Sequence, residues 1–120
     1  MNGKLALQKA IDQQRFYDAL NICKQFKIND SIVRSKIDDQ IRLAEAAYEN
    51  NDYEISINIF KTIISVSEVS LVLSRFFRPH LQIYLIDYLT ELHLQGFAAP
   101  SYTKLLFNLF IQCQAREKLN

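Results

Sequence analysis

At 120 residues and a net charge of +1, the chain has the size of one domain or a piece of one. It lacks the concentrated basic face that contact with a nucleic-acid backbone demands. Hydrophobic residues make up 49% and charged residues 22%, an ordinary globular balance. Two glycines and two prolines are too few for strand-and-turn architecture, so the composition points to helices. No apolar signal region opens the sequence, and no uncharged run approaches the roughly 20 residues a membrane span needs. Cys23 and Cys113 are too few and too far apart for a disulfide framework, which fits a reducing compartment. These features predict a soluble, cytoplasmic protein without direct membrane insertion or nucleic-acid binding.

Residues 4–12 read as a short first helix and residues 16–26 as its partner, joined by Gln13-Gln14-Arg15. Leu5, Ala6, Ile11, Phe16, Ala19, Leu20, Cys23 and Phe26 supply their apolar face. Asp30 is placed to cap a long helix over residues 31–49, with Asp38 set four residues before Arg42 as a favourable pair. In it Val33, Ile37, Ile41, Ala44 and Tyr48 recur at helical spacing. Asn50-Asn51-Asp52 then interrupts the pattern with residues that tolerate left-handed backbone and cap helices. Asn51 with Glu54 resembles a capping box. The helix that follows carries two apolar stripes, Tyr53, Ile57, Phe60, Ile64 and Ile55, Ile59, Ile63. So wide an apolar arc predicts an inner helix covered on two sides.

Ser67 is expected to cap a short helix running to about Phe76, ended by Arg78-Pro79 because the residue before proline leaves helical geometry. Residues 81–94 form the next helix, with Leu81, Leu85, Tyr88, Leu89 and Leu92 on one face and Gly96 as its stop. Pro100-Ser101 restarts a helix, capped by Ser101, with Leu105, Leu106, Leu109, Phe110 and Cys113 inside; residues 115–120 continue it or begin another. An internal repeat is present. Residues 11–24 align on residues 48–61, so that Phe16 meets Tyr53, Ala19 meets Ser56 and Leu20 meets Ile57, while Asn21, Ile22 and Lys24 meet identical residues. A single such hairpin cannot bury its faces, so the hairpins must stack. The fold class is therefore all-α, an α-α superhelix (solenoid) of about seven to eight helices over residues 1–120.

Nothing in this pattern supplies chemistry. Zinc sites show close ligand pairs, and the spacing of Cys23, Cys113, His80 and His93 offers none. The cysteines sit on apolar faces as small core residues; His93 is placed to bond a free carbonyl near a helix end, and His80 to be solvated. Asp38 and Asp39 point in different directions on one helix, and Asp52 and Glu54 suit a helix start. No phosphate, dinucleotide or nucleophile-elbow motif occurs. The sequence predicts a non-enzyme with no catalytic, cofactor-binding or metal residues. One partner-binding edge is a candidate, Arg75, Phe77 and Arg78, because aromatic and arginine side chains favour interface hot spots; Phe76 is assigned to the core.

The phrase AAYENNDYEISINIF (residues 46–60) is similar to the tetratricopeptide consensus, with Asn51 where that family prefers glycine and Ser56 where it prefers alanine. The offset between the two copies exceeds the usual period of about 34, which points to looser clathrin-type repeats. A broader likeness rests on Leu43-Ala44, Tyr48, Asp52-Tyr53, Ile57, Thr62-Ile63, Glu68, Ser70, Val72 and Phe76. It continues through Leu85, Tyr88-Leu89, Leu92-His93, Ala98, Thr103, Leu105-Leu106 and Asn108. Over nearly its whole length the chain thereby resembles the α-solenoid segment of the subunit-eleven family of class C vacuolar protein-sorting core proteins, large subunits of the HOPS and CORVET tethering complexes. Val69, where that family places proline, and Pro79 depart from its pattern.

The resemblance implies a scaffold segment of a longer chain, flanked in the family by a β-propeller and a zinc-binding RING domain. It implies protein–protein contacts with other tethering subunits, and indirect action with small GTPases and SNARE proteins. The setting implied is vesicle-mediated transport and membrane tethering at endosomes, lysosomes or vacuoles. A clathrin heavy chain or other coat or tether subunit is the alternative within the fold, and a free-standing tetratricopeptide adaptor gripping a short peptide is the alternative from another functional class. The apolar ends KLALQ and LLFNLFIQC predict uncovered faces and self-association.

Overall fold

The computed structural model describes residues 2–119, with side chains described from residue 3 to residue 115. It contains α1 (Asn2–Asp12), α2 (Phe16–Phe26), α3 (Ser31–Glu49), α4 (Tyr53–Thr62) and α5 (Val69–Phe76). A 3₁₀ turn (Pro79–Leu81), α6 (Gln82–Leu94) and α7 (Pro100–Leu119) follow. The fold is all-α, and no strand occurs among the described residues. Helices α1 and α2, α3 and α4, and α6 and α7 pair as hairpins, with α4 against α6 and α5 against α6 joining the second and third. The stack measures 61 × 31 × 19 Å with a Cα radius of gyration of 16.6 Å. A compact domain of this length has a radius nearer roughly 14 Å, so the hairpins are laid out along a rod.

The three hairpin turns share one device. At Gln14 (φ +57°), Asn51 (φ +64°) and Gly96 (φ +81°) the backbone becomes left-handed. The next residue then donates back to the carbonyl five positions earlier: Arg15 to Ala10, Asp52 to Ala47, Phe97 to Leu92. This is the Schellman ending. The residues after the first two turns also match, Arg15 at φ −88°, ψ 71° and Asp52 at φ −86°, ψ 67°. The repeat aligned in the sequence is therefore also a repeat of backbone geometry.

The core is continuous from Ala10, Ile11, Phe16 and Cys23, through Val33, Ile37 and Ala44, to Ile57, Phe60, Phe76, Leu85, Tyr88 and Leu109. Small residues let helices approach at the aligned positions, since Ala19 and Ser56 are both fully buried. The Ser56 hydroxyl donates to the Ala44 carbonyl at 2.8 Å. Around the second turn, Tyr48, Tyr53 and Phe76 meet edge-on, with ring centroids 5.3 to 6.4 Å apart. Such pairs add to the burial of the rings themselves.

Several local expectations are corrected. Asn51 does not form a capping box, because the left-handed turn occupies it; its side chain accepts from the Tyr53 hydroxyl at 2.8 Å, and Asp52 takes the start of α4. Arg42 pairs with Asp39 rather than Asp38. Asp30 holds the N-terminal position of α3 but binds Arg34 at 2.9 Å, while Asn29 accepts the Ser31 amide. Ser67 does not cap α5; its hydroxyl donates back to Ile63 and Glu68 precedes the helix. α7 begins at Pro100 itself, one residue before Ser101, consistent with proline's fixed φ at a first helical position.

Burial also departs from the stripes. Leu5 and Phe26 are exposed at 73% and 48%, and Ala6 is exposed, because α1 packs on α2 through Gly3, Leu7, Ala10 and Ile11. Of the second stripe, Ile59 in α4 is half-buried and Ile63, just past the helix end at Thr62, is fully buried, but Ile55 is exposed. Its neighbours α3 and α6 cover the arc of Ser56, Ile57 and Phe60, so the first turn of the second stripe has nothing over it.

Candidate functional site

The Arg75–Arg78 segment lies at the end of α5, where the chain breaks into an extended Arg78 (φ −141°, ψ 148°) before Pro79. Phe76 is fully buried and Phe77 is 59% exposed. Arg75 does not project freely. Its Nε donates to Glu45 Oε2 at 2.8 Å, its guanidinium lies 5.9 Å from the Tyr48 ring centroid, and its carbonyl accepts the Tyr48 hydroxyl at 2.7 Å. The hydrogen bond and charge of Glu45 hold the Arg75 guanidinium more firmly protonated than usual. Arg78 is exposed and its Nε donates to the Tyr48 oxygen at 3.4 Å. The three residues of the candidate edge are thus brought together, with Arg75 engaged in joining α5 to α3 and with Phe77 and Arg78 on the surface.

Tyr48 is the residue the sequence reading did not single out here. It touches Tyr53 and Phe76 through its ring, and Arg75 and Arg78 through its oxygen. Three of these partners, Arg75, Phe76 and Arg78, lie 27 to 30 positions away, which is why no local pattern marks it.

The remaining candidates are dispersed. Cys23 is buried, and desolvation, aided by Asp30, pushes its thiol up from the ordinary value; Cys113 is half-buried with its Sγ 3.9 Å from Gln82 Oε1. Both are free cysteines. His93 is exposed and its Nδ1 lies 3.4 Å from Thr103 Oγ1, so it meets a hydroxyl rather than the helix-end carbonyl expected. His80 is exposed beside the Tyr53 ring. Asp87 pairs with Lys61 at 2.9 Å across α4 and α6. Among the described residues, no group of three or more His, Cys, Asp or Glu side chains gathers as a metal site. No helix among them is long and apolar enough to cross a membrane.

An open groove of about 440 Å³ runs between α3 and the start of α5, with Ile37, Ile41 and Leu71 along it and Arg34, Asp38 and Glu68 at its edges. Its polar groups do not converge on one point as a reacting centre would require. The class the fold defines is a helical-repeat protein. No family model matches the chain, and neither the curated proteins nor the solved structures gave a match.

Proposed function

We propose that the chain is a non-enzymatic protein–protein interaction scaffold, an α-solenoid segment of a membrane-tethering subunit. It works in the cytoplasm, held on endosomal, lysosomal or vacuolar membranes through the full-length complex. The observation that carries this reading is the turn geometry repeated at Gln14 and Asn51 within a 61 Å rod. Hairpins that end in the same geometry and stack on their neighbours extend along one direction, which suits a spacer that sets distance between two ends. The sequence resemblance to the class C vacuolar protein-sorting family supplies the tethering context. Contacts with the other tethering subunits would run over helix faces, and those with small GTPases and SNARE proteins through those subunits.

The test is to mix the purified chain with purified class C tethering subunits and follow them by size-exclusion chromatography. Co-elution with at least one subunit is expected. Separate elution from all of them would overturn the tethering assignment. The adaptor alternative is favoured by one feature, the open groove beside α3 with the Asp38 and Glu68 carboxylates on its rim. It requires saturable binding of a short basic peptide, lost on Asp38→Lys.

A further inference from the structure

The first hairpin is joined to the rest of the chain more loosely than the later helices are joined to each other. Among the described residues, no hydrogen bond or ion pair links residues 3–28 to any residue from 31 onward. Further along, Lys61 holds Asp87 at 2.9 Å between α4 and α6, and Arg75 holds Glu45 at 2.8 Å between α5 and α3. Helix α2 also meets α3 over a shorter stretch than α4 does. Open clefts of about 280 and 320 Å³ flank that meeting, one bordered by Phe16 and Gln40, the other by Leu20 and Arg34. Val33 and Ile37 lie between these borders on α3 and are buried, so the joint is apolar.

Off α3 the hairpin could not hold itself together. Helices α1 and α2 have 11 residues each, fewer than the roughly 12–15 at which an isolated helix is even marginal in water. Their buried side chains are only Ala10, Ile11, Phe16, Ala19 and Cys23. Undocking is therefore also melting. One contact reaches from this hairpin across to the third. Tyr17 of α2 and Phe97 in the turn after α6 meet edge-on with ring centroids 5.6 Å apart, although the two are 46% and 42% exposed.

We infer that the first hairpin is a detachable arm, which leaves α3 and melts as one unit ahead of the rest of the fold, and that the Tyr17–Phe97 contact is its latch. The tether that remains is the left-handed Lys27 (φ 55°, ψ 41°) and the three residues after it. The docked arm dominates, because the apolar joint favours it. Opening breaks no polar bond between the arm and α3, so only apolar contact and the latch resist it. Such a segment belongs to the low-stability end of a structure, with few buried contacts and a separate cooperative opening. The device is an order–disorder element at one end of the rod. Its latch sits on the α6–α7 turn, so the state of that turn is coupled to the order of α1 and α2.

This inference stands apart from the tethering role. Cys23 on α2 is 3% exposed, so a thiol reagent reaches it when the arm opens. With Cys113→Ser removing the other thiol, labelling of Cys23 in the full chain is followed against urea. The expected result is an opening more frequent than global unfolding at 222 nm, with a smaller urea dependence because the arm exposes less surface. Phe97→Ala lies outside the arm, yet it should speed labelling at least about twofold, the low end for an aromatic pair. Its circular dichroism should match the parent, since Phe97 is a surface side chain; Phe97→Leu, which keeps bulk without the ring, is the milder second variant and should speed labelling too. Tyr17→Ala should speed labelling more in the parent than in Phe97→Ala, and Tyr17→Phe, which keeps the ring, should leave the rate unchanged. Labelling that matches global unfolding in both rate and urea dependence would overturn the arm. A rate indifferent to both changes at Phe97, or equal effects of Tyr17→Ala with and without Phe97, would overturn the latch.

Discussion

Replacing Ser56 with leucine should force α3 and α4 apart at their closest approach. Ser56 and Ala44 are both fully buried, and the 2.8 Å hydrogen bond between them leaves no room for a larger side chain. Two effects add. Losing the hydroxyl's bond costs about 1 kcal/mol, towards the low end because the Ala44 carbonyl keeps its place in the α3 ladder. Inserting a branched side chain into a closed contact costs about 1–3 kcal/mol more. A total of about 2–4 kcal/mol corresponds to a fall in Tm of about 8–16 °C for a chain of this length. Ser56→Ala, which keeps the close approach and removes only the bond, should cost no more than about 1 kcal/mol. Urea unfolding followed at 222 nm measures both. A leucine variant within about 0.5 kcal/mol of the parent, the range of unremarkable surface changes, would refute the close approach on which the hairpin depends.

Four further expectations rest on single residues. The Tyr88 hydroxyl is buried without a hydrogen-bond partner among the described residues, so Tyr88→Phe should leave stability unchanged or raise it by up to about 1 kcal/mol; a clear loss in urea unfolding would mean the hydroxyl is satisfied. Burial also pushes the Tyr88 phenol up to about 12. Its neutral form is favoured in the folded state, so stability present below the unfolded value near 10 should be lost between about pH 10 and pH 12, by at most about 2–3 kcal/mol. Denaturation across that window should show the parent falling more than Tyr88→Phe, and parallel curves would contradict it. Gln14 holds a left-handed backbone at φ +57°, and Gln14→Gly should stabilise by about 0.5–1 kcal/mol; destabilisation in the same assay would argue against that turn. A thiol reagent should modify half-buried Cys113 in the native state and buried Cys23 only on unfolding, and equal rates would contradict the packing of α2.

The sequence made the helices legible where punctuation was chemical. Asn50-Asn51-Asp52, Arg78-Pro79 and Gly96 each mark a real break, and apolar spacing named most of the core, from Phe16 to Leu92. The turn at Gln14 was visible only through its alignment with Asn51, because glutamine carries no left-handed preference of its own. Periodicity says which residues share a face but not whether a neighbour covers it. Ile55 and Leu5 therefore read as core and lie exposed, while Phe107, Phe110 and Ile111 lie open on an apolar helix. Long-range choices were equally hidden: Arg75 finds Glu45 and Tyr48 from some thirty residues away, which turns one of the three residues of an apparent binding edge into a structural tie. Even locally, Arg42 chose Asp39 over Asp38, a difference that side-chain direction decides and spacing alone does not.

Small-angle scattering, extrapolated to infinite dilution so that self-association is absent, tests the rod most directly. The stacked hairpins predict a radius of gyration close to 16.6 Å and a longest dimension near 61 Å, each enlarged slightly by hydration. A radius near roughly 14 Å, that of a compact domain of the same length, would contradict the stack and with it the spacer role.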